Sequence, residues 1–298
     1  MRWTLAALAA LSGLTAAAAP PGVLKPAPPA ATAATAAPAP APSDVPSDAE
    51  CRALPALRPQ AAFLPGETLD FELDALGAKA GTMTMRVLPV KDGLMPLQVE
   101  ARSSAFISNV RRVRGTGTSF VNPRTLRPRR YLEQSVENEV ERTSDVRFTP
   151  RVRRAELSWK SGARTGRLEL AHGSEEALDV AGAVYALRQL PLKEGQKVCV
   201  DVYGVRRMWR VFGTVQPREH VSLEVGEFEA WHLAGVAVRL DNPRARREVH
   251  LWISDDARRL PLAALGTIDL GVVRATLTGF QRPGERGVKS EPKSGMKW

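Results

Sequence analysis

Apolar and polar residues alternate with a period of two along most of the chain. Leu69, Phe71 and Leu73 alternate with Asp70, Glu72 and Asp74; Met83, Met85 and Val87 with Thr82, Thr84 and Arg86; Leu97, Val99 and Ala101 with Gln98, Glu100 and Arg102. Successive side chains of a strand point to opposite faces, so these runs predict half-buried strands. The pattern returns at Ala155, Leu157 and Trp159, at Val198, Val200 and Val202, at Val221, Leu223 and Val225, and at Val249, Leu251 and Ile253. Turn-forming pairs such as Pro65-Gly66, Asp92-Gly93, Asn122-Pro123 and Ser161-Gly162 separate them. The spacing predicts roughly a dozen strands in a meandering antiparallel arrangement.

One helix interrupts the strands. Ser174 reads as its N-cap, Glu175 and Glu176 as its first turn, and Ala177 to Leu190 as its body, closed by Pro191. Leu178, Ala181, Tyr185 and Leu192 give it a face to lay on a sheet, and Ala105 to Arg111 predicts a second, shorter helix. A flat sheet with one oily face would leave too large an apolar strip in water. The expected fold is therefore mainly β: an antiparallel meander curled into a barrel or half-barrel, with one helix packed against it. An outer-membrane barrel also alternates, but the chain has only 3 Tyr, carries charges on most strands, and shows no strand pattern at Lys293 to Trp298.

The ends read differently. Residues 1–19 form a signal peptide: Arg2, then the apolar stretch Leu5 to Leu14, then small residues that allow cleavage after Ala18 or Ala19, the alternative being retention as an anchor. Residues 20–50 are a Pro/Ala-rich linker, 51–282 a β-rich domain, and 283–298 a disordered basic tail. The expected location is the periplasm of a bacterial cell envelope. The net charge of +10 is spread along the chain, mostly on Arg interleaved with Glu and Asp. It reads as a solvated basic surface whose available partners are anionic envelope polymers, lipid headgroups or envelope proteins, not nucleic acid.

Cys51 and Cys199 are the 2 cysteines. In an oxidising compartment they read as one disulfide. His172, His220, His232 and His250 show no metal-ligand spacing, although His232 and His250 fall in strands that can pair. Ser254, Asp255 and His250 contain the letters of a triad without its framework, and Asp255-Asp256 reads as a turn. No catalytic residue, metal site or cofactor is expected.

Several fragments together resemble one bacterial family. They are Gly66-Glu67-Thr68-Leu69-Asp70-Phe71 with Ala80-Gly81-Thr82, Ala183-Val184-Tyr185-Ala186-Leu187-Arg188 with Pro191-Leu192, Val225-Gly226-Glu227-Phe228, and Leu251-Trp252-Ile253-Ser254-Asp255-Asp256 with Leu260-Pro261. In order and spacing they are similar to domain of unknown function 3108. The resemblance implies an exported, β-rich envelope protein and leaves its chemistry open. The expected function is a non-catalytic envelope protein that binds or carries an apolar or lipid-like ligand in a curved sheet. Phe71, Met83, Met85, Trp159, Trp209 and Trp252 are the candidate lining, and plain core packing is the alternative role for each. The competing function is a structural or assembly factor acting by protein or polymer contacts.

Overall fold

A computed structural model of the chain describes residues 45–289, apart from 52, 59–60, 76, 110–111, 150–151, 176, 269–270 and 286. The expected signal peptide, most of the linker and the end of the tail lie outside the described residues.

The strands are β1 (Thr68–Ala75), β2 (Ala78–Val87), β3 (Met95–Ser103), β4 (Val113–Val121), β5 (Pro128–Glu137), β6 (Val140–Phe148), β7 (Arg154–Ser161), β8 (Arg164–Ala171), β9 (Leu178–Asp179), β10 (Lys197–Gly204), β11 (Arg207–Val215), β12 (Glu219–Leu223), β13 (Gly226–Arg239), β14 (Asn242–Ser254), β15 (Pro261–Ile268), β16 (Gly271–Gln281) and β17 (Val288–Lys289). The helices are α1 (Ala105–Ser108) and α2 (Val180–Arg188). From β1 to β8 each strand pairs antiparallel with the next. On its other side β1 pairs with β16, and β15, β14, β13, β11 and β10 follow outward. The result is a single large sheet, strongly curled but open, with β8 at one edge and the short parallel β9 beside β10 at the other.

Burial follows the alternation where one face is oily and the other charged, as in β1, whose residues 69, 71, 73 and 75 are buried. Directly opposed residues share a face. The pairs Leu73–Ala275, Ala275–Ala264, Ala264–Leu251, Leu251–Leu233 and Leu233–Val215 therefore run as one apolar belt across six strands.

The helix departs from expectation at its start. Its N-cap is Asp179, whose carboxylate accepts the Gly182 N–H at 2.9 Å, not Ser174. Tertiary hydrogen bonds hold the earlier residues extended. The N–H groups of Gly173 and Ser174 donate to Asp201 at 2.7 and 2.8 Å, and Leu178–Asp179 pair with Val202–Tyr203. The second expected helix is a single turn capped by Ser104. α2 lies against β3, β4, β9 and β10, inside the curl. Its small residues Ala181, Gly182, Ala183 and Ala186 are buried, which lets the helix approach the sheet closely.

Ordered contacts reach past both expected limits of the domain. Arg210 donates to the Pro46 carbonyl at 2.8 Å and to Asp48 at 2.6 Å. Cys51 is disulfide-bonded to Cys199 of β10, with the Cα atoms 5.0 Å apart. At the other end, Val288 and Lys289 of the expected tail pair with Phe280 and Gly279 as β17.

Candidate functional site

On the concave face, buried charged groups tie α2 to its surroundings. At the helix C-terminus Arg188 is fully buried, as is Glu67 at the start of the first hairpin. The guanidinium binds the carboxylate through two hydrogen bonds, 2.6 and 3.0 Å, and also donates to the carbonyls of Arg259 and Arg258. It lies 5.1 Å from the Phe63 ring centre and 5.0 Å from that of Tyr185. A two-point Arg–carboxylate pair fixes orientation as well as position. Gln189 adds a second tie, accepting the Ala62 N–H at 2.9 Å and donating to the Arg58 carbonyl at 2.7 Å. At the helix N-terminus, Asp179 accepts a hydrogen bond from the Ser119 hydroxyl of β4. Both ends of α2 are thus pinned to the sheet.

Between α2 and the sheet lies a cavity of about 50 Å³. Phe71, Met83 and Met85 line it, together with Val99, Val180, Ala181 and Val184. An apolar cavity of roughly 150 Å³ holds one molecule as small as benzene, and this one is well below that, so it has no room for a lipid chain while α2 is seated. Three of the six expected lining residues therefore meet, and the three tryptophans sit elsewhere. The Arg206 guanidinium lies 4.5 Å above the Trp159 ring, and that ring covers Gly166, where a Cβ would come within 2.7 Å of it. Trp209 donates to the Gly204 carbonyl at 3.1 Å. Trp252 donates to Glu219 and stacks on His232 at 4.4 Å.

The inner face changes character along one row. Met85 opposes Val99 and Val99 opposes Gly117, then come Glu133, Ser144 and Trp159. Tyr131, Glu133, Ser135 and Glu137 are all buried, inverting the hydrophobic order of β5, whose Leu132 and Val136 face outward. Glu133 Oε1 has no hydrogen-bond partner among the described residues. Burial pushes the Glu133 carboxyl up to about 8, against the pull of Arg206 and Arg142. Burial likewise raises Asp179 to about 6, opposed by its bonds from Gly182 and Ser119.

These shifts set a pH dependence. Both groups hold their protons more tightly folded than unfolded, so their contribution to stability is complete below the unfolded values. It is lost as pH rises, through about 6 for Asp179 and about 8 for Glu133. Glu133→Gln keeps a neutral side chain and removes the larger share. The melting temperature of the wild type is expected to fall between about pH 5 and pH 9, and that of E133Q to fall less and to exceed it at the alkaline end. Parallel profiles for the two proteins would rule this out.

His232 and His250 do come together. His232 Nε2 and His250 Nδ1 are 2.8 Å apart, and the chain continues to Glu219 at 3.1 Å and Glu248 at 2.9 Å. Each ring nitrogen is engaged, so the four groups form a line of hydrogen bonds rather than a converging ligand set. Among the described residues, no three His, Cys, Asp or Glu side chains converge on a point where a metal ion would sit. Ser254 donates to Asp256 at 2.9 Å and accepts the Leu260 N–H at 2.8 Å, which separates it from His250. Asp256 also accepts the N–H groups of Arg258 and Arg259, both at the turn expected from Asp255-Asp256.

These features define the class: an open, β-barrel-like sheet wound around a pinned helix. The chain belongs to the family described as Protein of unknown function (DUF3108), whose model matches residues 70–278. A β-barrel-like protein of domain of unknown function DUF1849 from Brucella abortus shares the fold, with a TM-score of 0.51 and 10% identity, over 75% of this chain and 100% of that one. Two further structures match more loosely. One is a protein with a YmcC-like fold from Bacteroides fragilis, provisionally described as exported (TM-score 0.29, 8% identity, 76% of this chain and 99% of that one). The other, provisionally described as a lipoprotein, is from Parabacteroides distasonis (0.31, 7%, 76% and 100%). At those TM-scores neither says anything of this chain. No curated protein matches it.

Proposed function

We propose that the protein is a non-catalytic module of the bacterial cell envelope that works through its outer surface, as a structural or assembly factor. The observation that carries this reading is the tight seat of α2: the helix is tied to the sheet by Arg188–Glu67 at one end and Asp179–Ser119 at the other, and the cavity described beneath it holds about 50 Å³. The disulfide and the apolar N-terminal stretch support an oxidising, extracytoplasmic location. A groove of about 740 Å³ runs over the outer face of β2–β6, lined in part by Thr82, Thr84, Arg86, Arg102, Arg114 and Thr116. Glu100, paired with Arg86 at 2.8 Å, and Glu141 also line it, so its mixed charges and hydroxyls suit a hydroxyl-rich envelope polymer.

The second reading, carriage of a lipid-like ligand, draws on Phe71, Met83 and Met85 around the cavity, and it requires α2 to leave its seat. Native mass spectrometry of the purified protein, paired with organic extraction, separates the two. The expected spectrum shows the polypeptide mass alone; a stoichiometric lipid in the extract would replace the first reading with the second.

A further inference from the structure

β8 ends the sheet. It pairs with β7 from Arg164–Ser161 to Ala171–Arg154, and among the described residues no strand is registered against its other edge. β11 comes close to part of β8, but no backbone hydrogen bond joins the two among the described residues, so the edge keeps free backbone donors and acceptors. Its side chains are exposed except for half-buried Gly166 and Leu170, and Leu168 is 41% exposed although it stands opposite fully buried Leu157. The charges on the outer face are only partly matched within the chain: Glu156 has Arg147 of β6 on one side and Glu169 of β8 on the other. Glu169 stands directly opposite Glu156, and in its 3.2 Å ion pair with Arg154 the two side chains are 64% and 68% exposed.

We propose that β8 is a self-pairing edge on which a second copy of this chain docks its own β8, antiparallel, about a two-fold axis through Leu168. An axis perpendicular to the sheet keeps the oily face of each copy on the same side, so every opposed pair is separated by an even number of residues. Centring the pairing on Arg167 or on Glu169 sets like charges face to face. Centring it on Gly166 opposes Arg167 to Thr165. Centred on Leu168, Arg167 of each copy opposes Glu169 of the other, Leu168 meets Leu168, and Gly166 meets Leu170. The two cross-strand charge pairs relieve the Glu156–Glu169 mismatch twice over, and the exposed leucines cover one another. The joined sheets would run continuously from one curl into the next.

Sedimentation equilibrium of the purified protein over a concentration series tests this. The wild type is expected to fit a monomer–dimer equilibrium. Arg167→Glu and Glu169→Arg each raise the dimer dissociation constant at least tenfold, by placing like charges in both pairs. The double variant R167E/E169R restores the opposed signs and returns the constant to within a few-fold of wild type. Melting temperatures compared at a concentration where the wild type is monomeric, and unchanged in all three variants, confirm that the fold is intact. A wild type that stays monomeric throughout, a dimer indifferent to the single substitutions, or a double variant as weak as either single one would overturn the proposal. Pairing of β8 with a different protein would show as the first of these outcomes.

Discussion

Replacing Arg188 with methionine, which keeps much of the volume and removes the charge, is expected to lower the unfolding free energy by about 3 kcal/mol. Loss of one partner from a fully buried ion pair costs roughly 3–5 kcal/mol, because the other charge remains without compensation. Here Arg282 stands 3.3 Å from Glu67 and partly screens the orphaned carboxylate, which places the loss near the lower bound. Two carbonyls, those of Arg258 and Arg259, also lose their donor. The double variant Glu67→Leu/Arg188→Met removes both charges, so its loss is smaller than the sum of the two single losses. Urea unfolding of the four proteins checks the cycle. Additive losses, or an R188M midpoint equal to wild type, would mean that the pair does not hold the helix.

The second large effect belongs to the disulfide. Cys51 and Cys199 are 148 residues apart. Closing a loop of that size removes denatured-state entropy worth up to about 5 kcal/mol in the chain-entropy model. The bond also clamps residues 46–51 over β10, beside the buried Asp201–Arg210 pair. Cys51→Ser and Cys199→Ser, singly or together, are expected to lower the melting temperature by roughly 10 °C, using the usual conversion for domains of this size. Reduction of the wild type should produce the same shift and should leave the Ser variants unchanged. A wild-type transition indifferent to reductant would show that the bond contributes nothing to stability.

Sequence patterning revealed the fold best where chemistry and face coincide. In β1 and β2 every inward position is apolar and every outward one polar from Leu69 to Leu73 and from Met83 to Val87, so a period of two shows the strands and the buried face at once. In β5 the same reasoning points the wrong way. Leu132 and Val136 are the apolar residues, yet Glu133, Ser135 and Glu137 are buried, in a region where Arg142 and Arg206 supply charge and no helix face demands oil. The helix starts later than the local pattern implies because Ser174 and the two glutamates form a good local cap, while the winning hydrogen bonds come from Asp201, 27 residues away.

The site was legible only in part. Phe71, Met83 and Met85 lie on adjacent paired strands, and their side chains have no polar atom to satisfy, so alternation alone brings them to one cavity. The tryptophans stand away from that cavity, and in two of them the indole N–H meets an acceptor at the rim of the core. Trp209 finds the Gly204 carbonyl and Trp252 finds Glu219. Glu67 and Arg188 belong to quoted family fragments, but their pairing spans 121 residues and leaves no local trace in a single sequence.

Whether α2 is a fixed filling or a lid is settled most directly by native-state hydrogen exchange. The pinned helix predicts that the amides of Val184 to Arg188 exchange as slowly as those of β1 and β16, through global unfolding, with protection that falls in step with urea. Exchange of the α2 amides through a local opening several kcal/mol below the global value, with β1 and β16 still protected, would contradict that account.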